Sequence, residues 1–252
     1  MGSWIAPRIS ATGPAVTLFD VAPAALERAG RSFASHPSAP TLTQDLRQAV
    51  AEADLIIETV VEDAAVKEKL FAELARHAAA SAVFTSNTSI LVPAQFLGAF
   101  PHKRRFCCLH FYQPGTAVDV MPIPETDPEI VGRLAAFAES IGEKPIVMKR
   151  VHPGYLFSAM GGALTDMAIH LAASGVADVE TIDASWKAIT GMALGPFGML
   201  DLIGLDTSLK IRKERLRANP GDQKLVEGIA LLEPYVNQGH LGRRSGHGFY
   251  KY

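Results

Sequence analysis

The residues with the most chemical capacity sit at the ends of short apolar runs. His110 follows Phe106-Cys-Cys-Leu109, and an imidazole in that place can take a hydroxyl proton while hydride leaves the adjoining carbon. Asp119 lies in Val118-Asp-Val-Met121, an apolar setting in which a carboxylate needs a partner. His110 is a candidate for it to orient and to stabilise when protonated. Ser86-Asn-Thr-Ser89, which includes Asn87 and Ser89, puts small hydroxyl and amide groups after another apolar run, where open parallel sheets bind ligands. The same residues equally suit a capped turn. Asp20 ends Ala15-Val-Thr-Leu-Phe-Asp20, where a carboxylate accepts both ribose hydroxyls of an adenosine and repels a 2′-phosphate. That favours NAD over NADP, although a strand-end Asp also caps helices. Glu62 and Lys67 stand at a predicted helix start, as cofactor contacts or as a cap and a surface charge. Lys103-Arg-Arg105 is a basic cluster suited to phosphates or to a solvated loop.

The elements that must position these groups alternate along the first half. Strands are predicted at Ala15–Asp20, Asp54–Val61, Ala82–Thr85, Phe106–Phe111 and Lys144–Lys149, and helices at Ala22–Ser35, Val66–Ala80 and Ile130–Ile141. Strands separated by helices imply a parallel, doubly wound α/β sheet of Rossmann type. The opening Met1-Gly-Ser-Trp-Ile-Ala6 reads as the helix that follows a first strand, so that strand and most of a glycine-rich turn are missing, with Gly2 as the turn's last glycine. An ordinary N-terminus is the other reading. Beyond His152-Pro153-Gly154 the pattern becomes helical, which implies an α/β domain over residues 1–151 and an all-α domain over 152–252.

Composition narrows the classes. Apolar residues make up 48% and charged residues 20% of 252, enough for a sizeable core and too few charges for disorder. With 24 basic against 26 acidic side chains, binding to nucleic acid through bulk charge is not expected. Cys107 and Cys108 are adjacent, so a disulfide between them is not expected, nor is a metal site, and a reducing, cytoplasmic setting fits. Neither a membrane span nor a signal peptide is expected.

In this order the pieces resemble the L-3-hydroxyacyl-CoA dehydrogenase family. The resemblance spans essentially the whole chain and is carried by Val61-Glu-Asp-Ala-Ala-Val-Lys67, Ser86–Ser89, Leu109-His-Phe111, Gly195-Pro-Phe-Gly-Met-Leu-Asp-Leu-Ile-Gly-Leu-Asp-Thr207 and Ser245-Gly-His-Gly-Phe-Tyr-Lys-Tyr252. It implies an NAD-binding domain, a helical domain that forms a homodimer, and oxidation of a 3-hydroxyacyl-CoA thioester to the 3-ketoacyl-CoA. By position it implies that His110 is the general base and that Ser89 bonds the substrate oxygen. Gly2, Asp20, Glu62, Lys67 and Asn87 are assigned to the cofactor, and Gln113 and Ser158 to the acyl pocket.

This sequence also departs from the family pattern. The glycine-rich turn and its strand are absent, which leads to the expectation that the natural product begins upstream of Met1. No glutamate occupies the catalytic glutamate's place; shortening the segment after His110 puts Asp119 there. Gln113 and Ser158 replace asparagines, and the stretch between Asp20 and Thr43 is short, which weakens the CoA assignment. Two alternatives therefore stand beside the dehydrogenase reading: NAD chemistry on a small 3-hydroxy acid without CoA, and an inactive scaffold that binds no cofactor.

Overall fold

A computed structural model describes residues 1–33, 38–113 and 115–252. The chain divides into two compact units, Met1–Tyr155 and Leu156–Tyr252.

The first unit is α/β. Helix α1 (Gly2–Ser10) leads to β1 (Thr17–Phe19), α2 (Pro23–Phe33) and β2 (Thr41–Thr43). The end of the helix expected at Ala22–Ser35 lies outside the described residues. Then come α3 (Leu46–Val50), β3 (Leu55–Glu58), α4 (Ala64–His77), β4 (Val83–Ser86), β5 (Phe106–Phe111), β6 (Ala117–Pro122), α5 (Pro128–Ser140) and β7 (Lys144–Val147). Local chemistry sets these boundaries. Asp63 caps α4 by accepting from the Val66 N–H at 3.0 Å. Pro128 opens α5, where its missing N–H costs nothing, and Gly142 follows that helix at φ 77°.

Strands β3 to β7 form one sheet in that order, while β1 and β2 pair separately as a parallel ribbon. Among the described residues no strand joins β1 to β3, so the sheet is interrupted where a first strand was expected. The expectation of a wholly parallel sheet needs one correction, because β5 and β6 run antiparallel. The segment between Phe111 and Ala117 is too short for a parallel crossover, so the chain can only turn back. Val118–Met121, read in the sequence only as an apolar setting, is the heart of β6. Strands β3–β4, β4–β5 and β6–β7 are parallel.

Strand β5 is buried along its whole length and has core on both faces. One face meets Phe71, Phe84, Phe96 and Phe100, and the other meets Ile130, Leu134 and Ala138 of α5. Each fully buried side chain of this kind contributes about 1.5–3 kcal/mol, which makes β5 a rigid mount for whatever its end carries.

The second unit is helical: α6 (Tyr155–Ala173, its first residue belonging to the first unit), α7 (Val179–Thr190), α8 (Pro196–Ile203), α9 (Leu205–Ala218) and α10 (Gln223–Asn237). Its core gathers Ile169, Phe197, Leu200, Leu205 and Leu232. Among the described residues α6 is the one helix long and apolar enough to cross a membrane by length and composition, a property the composition of the chain did not lead us to expect. Its Asp166 is ion-paired with Arg212 and Arg215 of α9, as in a helix packed in protein.

Candidate active site

The ends of β4 and β5 bring the strongest candidates together. Ser86 lies opposite Cys108 in the parallel register, so the turn 86–89 leaves the sheet beside His110. Ser89 Oγ stands 3.1 Å from His110 Nε2. In the antiparallel register His110 faces Asp119. The sequence thus identified three groups that the fold places in a row.

The Asp119 expectation needs refinement. Its Oδ2 lies 3.5 Å from His110 Nδ1, within ion-pair range but beyond a hydrogen bond. Among the described residues Nδ1 has no hydrogen-bond partner. The same Oδ2 instead accepts a hydrogen bond from the Tyr112 hydroxyl. A buried carboxylate must be satisfied, and the phenol meets that need while the imidazole remains within electrostatic reach.

Two aromatic rings enclose the imidazole. Tyr155 lies face to face with it, with centroids 4.5 Å apart and planes 10° from parallel. Tyr112 meets it edge-on at 4.6 Å. The Tyr155 hydroxyl donates to the Thr88 carbonyl at 2.7 Å. Burial, with Cys108 and nearby carboxylates, pushes that phenol far above its ordinary range, so it remains a donor. Burial likewise pushes the Cys108 thiol up to about 12. Both cysteines are free and buried.

The turn itself is held by charge. Glu62 Oε1 accepts from the Thr88 hydroxyl at 2.5 Å and from the N–H groups of Ser89, Ile90 and Leu91 at 3.0, 2.8 and 3.0 Å. Partial burial raises this carboxyl's pKa, but the Thr88, Ile90 and Leu91 hydrogen bonds and Lys67 outweigh it and hold the group below the usual glutamate value. Lys67 is 1% exposed and donates to both oxygens of buried Glu58, at 2.7 and 2.9 Å. Glu58 also accepts from the Ser86 hydroxyl. Asn87 Oδ1 accepts from the Phe111 N–H at 2.8 Å, tying the turn to β5. Glu62, Lys67 and Asn87, assigned to the cofactor from sequence, therefore spend these polar groups on the turn that carries Ser89.

Gly2 and Asp20 come together elsewhere. With Ser3, Leu18 and Thr59 they line a cavity of about 380 Å³. Gly2 and Ser3 lie in the first turn of α1, where N–H groups lack helical partners. A Cβ at Gly2 would come within 3.0 Å of Thr59 Oγ1 and 3.1 Å of Leu18, so a side chain there would crowd the cradle. Asp20 Oδ1 accepts from the Ala22 N–H at 2.9 Å. A carboxylate beside unpaired N–H groups fits the ribose and phosphate of a dinucleotide. Gln113 is exposed in the turn after β5, and Ser158 is exposed on α6 in the other unit. Among the described residues no cluster of three or more His, Cys, Asp or Glu is placed to hold a metal ion.

Sequence reading missed Tyr112, Tyr155 and Glu58. The argument that drew attention to Asp119 applies equally to Glu58, an acid inside the apolar run Leu55–Val61 with a lysine following on the next helix. No comparable signal marks either tyrosine, because aromatic residues after strands are ordinary.

Known proteins resemble this chain over nearly its whole length. The NAD binding domain of 3-hydroxyacyl-CoA dehydrogenase matches residues 35–151, and its C-terminal domain matches 154–252. A mitochondrial hydroxyacyl-coenzyme A dehydrogenase of Sus scrofa is 30% identical, covering 100% of this chain and 88% of its own length. A probable 3-hydroxybutyryl-CoA dehydrogenase of Bacillus subtilis is 32% identical over 100% of this chain and 94% of its own. Among solved structures, a diketoreductase described as acting on dicarbonyl compounds superposes with a TM-score of 0.89 at 33% identity, covering 99% of this chain and 94% of that one.

Proposed function

The chain belongs to the 3-hydroxyacyl-CoA dehydrogenase family of NAD-dependent enzymes that act on CH–OH groups, and from that premise we propose that it interconverts a 3-hydroxyacyl-CoA and the 3-ketoacyl-CoA. The observation that carries this reading is the 3.1 Å approach of Ser89 Oγ to His110 Nε2, which defines one place where an alcohol oxygen would meet both groups.

In the oxidative direction His110 Nε2 takes the hydroxyl proton, and Ser89 donates a hydrogen bond to the same oxygen as it becomes a carbonyl. The imidazolium that forms is stabilised by Asp119, 3.5 Å from Nδ1. Asp119 stays an acceptor because Tyr112 already donates to it. Gly2 and Asp20 are the residues that would hold the adenosine half of NAD, which when bound supplies the hydride acceptor.

A second reading moves the chemistry to a dicarbonyl or small hydroxy acid, as the likeness to the diketoreductase suggests. The deciding experiment follows NADH with 3-hydroxybutyryl-CoA, free 3-hydroxybutyrate and a diketoester offered separately. Turnover on the thioester at least about tenfold more efficient than on the others, a gap of roughly 1.4 kcal/mol, supports the first reading. Preference for a free acid or diketone supports the second, and no turnover on any of them rejects both.

A further inference from the structure

We propose that Tyr155 is a positioning residue that holds His110 and the Ser89 turn in mutual alignment for proton transfer. The inference rests on the dehydrogenase reading above.

Tyr155 touches both partners at once. Its ring covers one face of the imidazole, nearly parallel at 4.5 Å. Its hydroxyl reaches the carbonyl of Thr88, the residue immediately before Ser89. Fixing a ring at one end and a turn at the other fixes the separation between Nε2 and Oγ, the distance on which transfer depends.

The backbone shows that this placement is built against local preference. Tyr155 has φ 53°, the single non-glycine residue with positive φ among those described. A bulky side chain is rarely found there, and such strain persists only where the surroundings enforce it. Gly154 precedes it at φ 74°, so two left-handed residues in succession lead into α6. The N–H of Tyr155 bonds the His152 carbonyl at 3.2 Å, and the His152 N–H reaches Met121 Sδ at 3.3 Å on β6. The bend is thereby fastened to the strand that carries Asp119. Tyr155 itself is 2% exposed.

Among the described residues the groups facing the imidazole are Asp119 from β6, Tyr112 from the chain after β5, Ser89 from the turn and Tyr155. A change at Tyr155 leaves the other three in the sequence.

The test uses the full chain with Tyr155→Phe and Tyr155→Leu. The NMR shifts of the His110 ring protons need neither substrate nor cofactor, and a ring stacked face to face displaces them upfield by its ring current. Tyr155→Phe keeps the stack and should leave those shifts in place, whereas Tyr155→Leu should move them downfield as the stack is lost. In turnover, Tyr155→Phe should lose about fivefold in kcat, because the Thr88 bond is gone. Tyr155→Leu should lose about 10²-fold, with KM for the thioester changed less than about threefold. Unmoved His110 ring-proton shifts in Tyr155→Leu overturn the proposal, as does a kcat loss that merely follows the folded fraction. If Tyr155→Leu does not fold, Tyr155→Phe decides: wild-type kcat overturns the proposal, and the fivefold loss with an intact folded fraction supports it. Absence of turnover in the unaltered chain would instead reject the dehydrogenase reading, while the ring-proton shifts in Tyr155→Leu still report on the stack.

Discussion

Buried aspartates in the two units have different surroundings. In the helical unit Asp183 accepts from the Phe197 and Gly198 N–H groups at 2.9 Å each and from the Tyr250 hydroxyl at 3.0 Å. Asp201 accepts from the Phe249 and Tyr250 N–H groups at 2.9 and 3.0 Å and from the Tyr252 hydroxyl at 2.9 Å. Both are buried and served by several donors, and they bolt the C-terminal residues onto α7 and α8. A Cβ at Gly195 would strike Asp183, and one at Gly248 would strike Asp201. Asp119 in the α/β unit is just as buried, yet among the described residues its one close donor is Tyr112 and it faces an imidazole nitrogen without a hydrogen bond. A carboxylate saturated by fixed donors stabilises a fold. One left with capacity beside a titratable ring is available for chemistry.

Four changes would break or sharpen this contrast. His110→Ala removes the base and should lower turnover by about 10²- to 10⁴-fold while the unfolding midpoint stays near that of the parent chain, read by steady-state kinetics alongside denaturant unfolding. Asp201→Ala should do the reverse. It strands two N–H groups and a phenol, costing about 3 kcal/mol of stability in urea titration while the folded fraction keeps its turnover. Equal losses of activity and stability in both variants would erase the distinction. Asp119→Asn keeps an acceptor for Tyr112 but removes the negative charge facing His110. A kcat loss of at least about tenfold is expected, and an unchanged kcat would mean that the charge contributes nothing.

The smallest effect concerns Glu62. Its folded pKa is depressed, so its hold on the turn is complete above the unfolded glutamate value of about 4.3 and fades as pH falls through the lower folded value. Amide exchange at Ser89, Ile90 and Leu91, corrected for intrinsic rates, should therefore accelerate below about pH 4. In Glu62→Gln that acid dependence should vanish; if it persists, another group holds the turn.

Much of this was legible in advance. His110 and Asp119 each carried a polar side chain at the end of an apolar run or inside one, and such exceptions stand out, whereas Ser86–Ser89 suited a capped turn equally well and Ser89 took its role from the family resemblance. The motifs around Gly195–Thr207 and Ser245–Tyr252 pointed to the family, and the structure gives the reason for their spacing: Asp183 and Asp201 each require glycine alongside and donors from the C-terminal residues. The antiparallel turn into β6 was less visible, because Val118–Met121 reads as apolar in either strand direction. Glu62 and Lys67 were found, but their roles as turn holder and buried ion pair depend on which neighbours the fold supplies.

Sequence alone determined the alternation of strands and helices in the first half and the change to an all-helical second half, and it singled out polar interruptions as candidates, because apolar period, turn residues and such interruptions are local properties of the chain. Tertiary structure decided the pairings: that Asp119 accepts its hydrogen bond from Tyr112 while facing His110, and that Tyr155 covers the imidazole from a left-handed backbone position. Those outcomes rest on strand direction and on separations of a few tenths of an ångström, which are set by how distant segments pack.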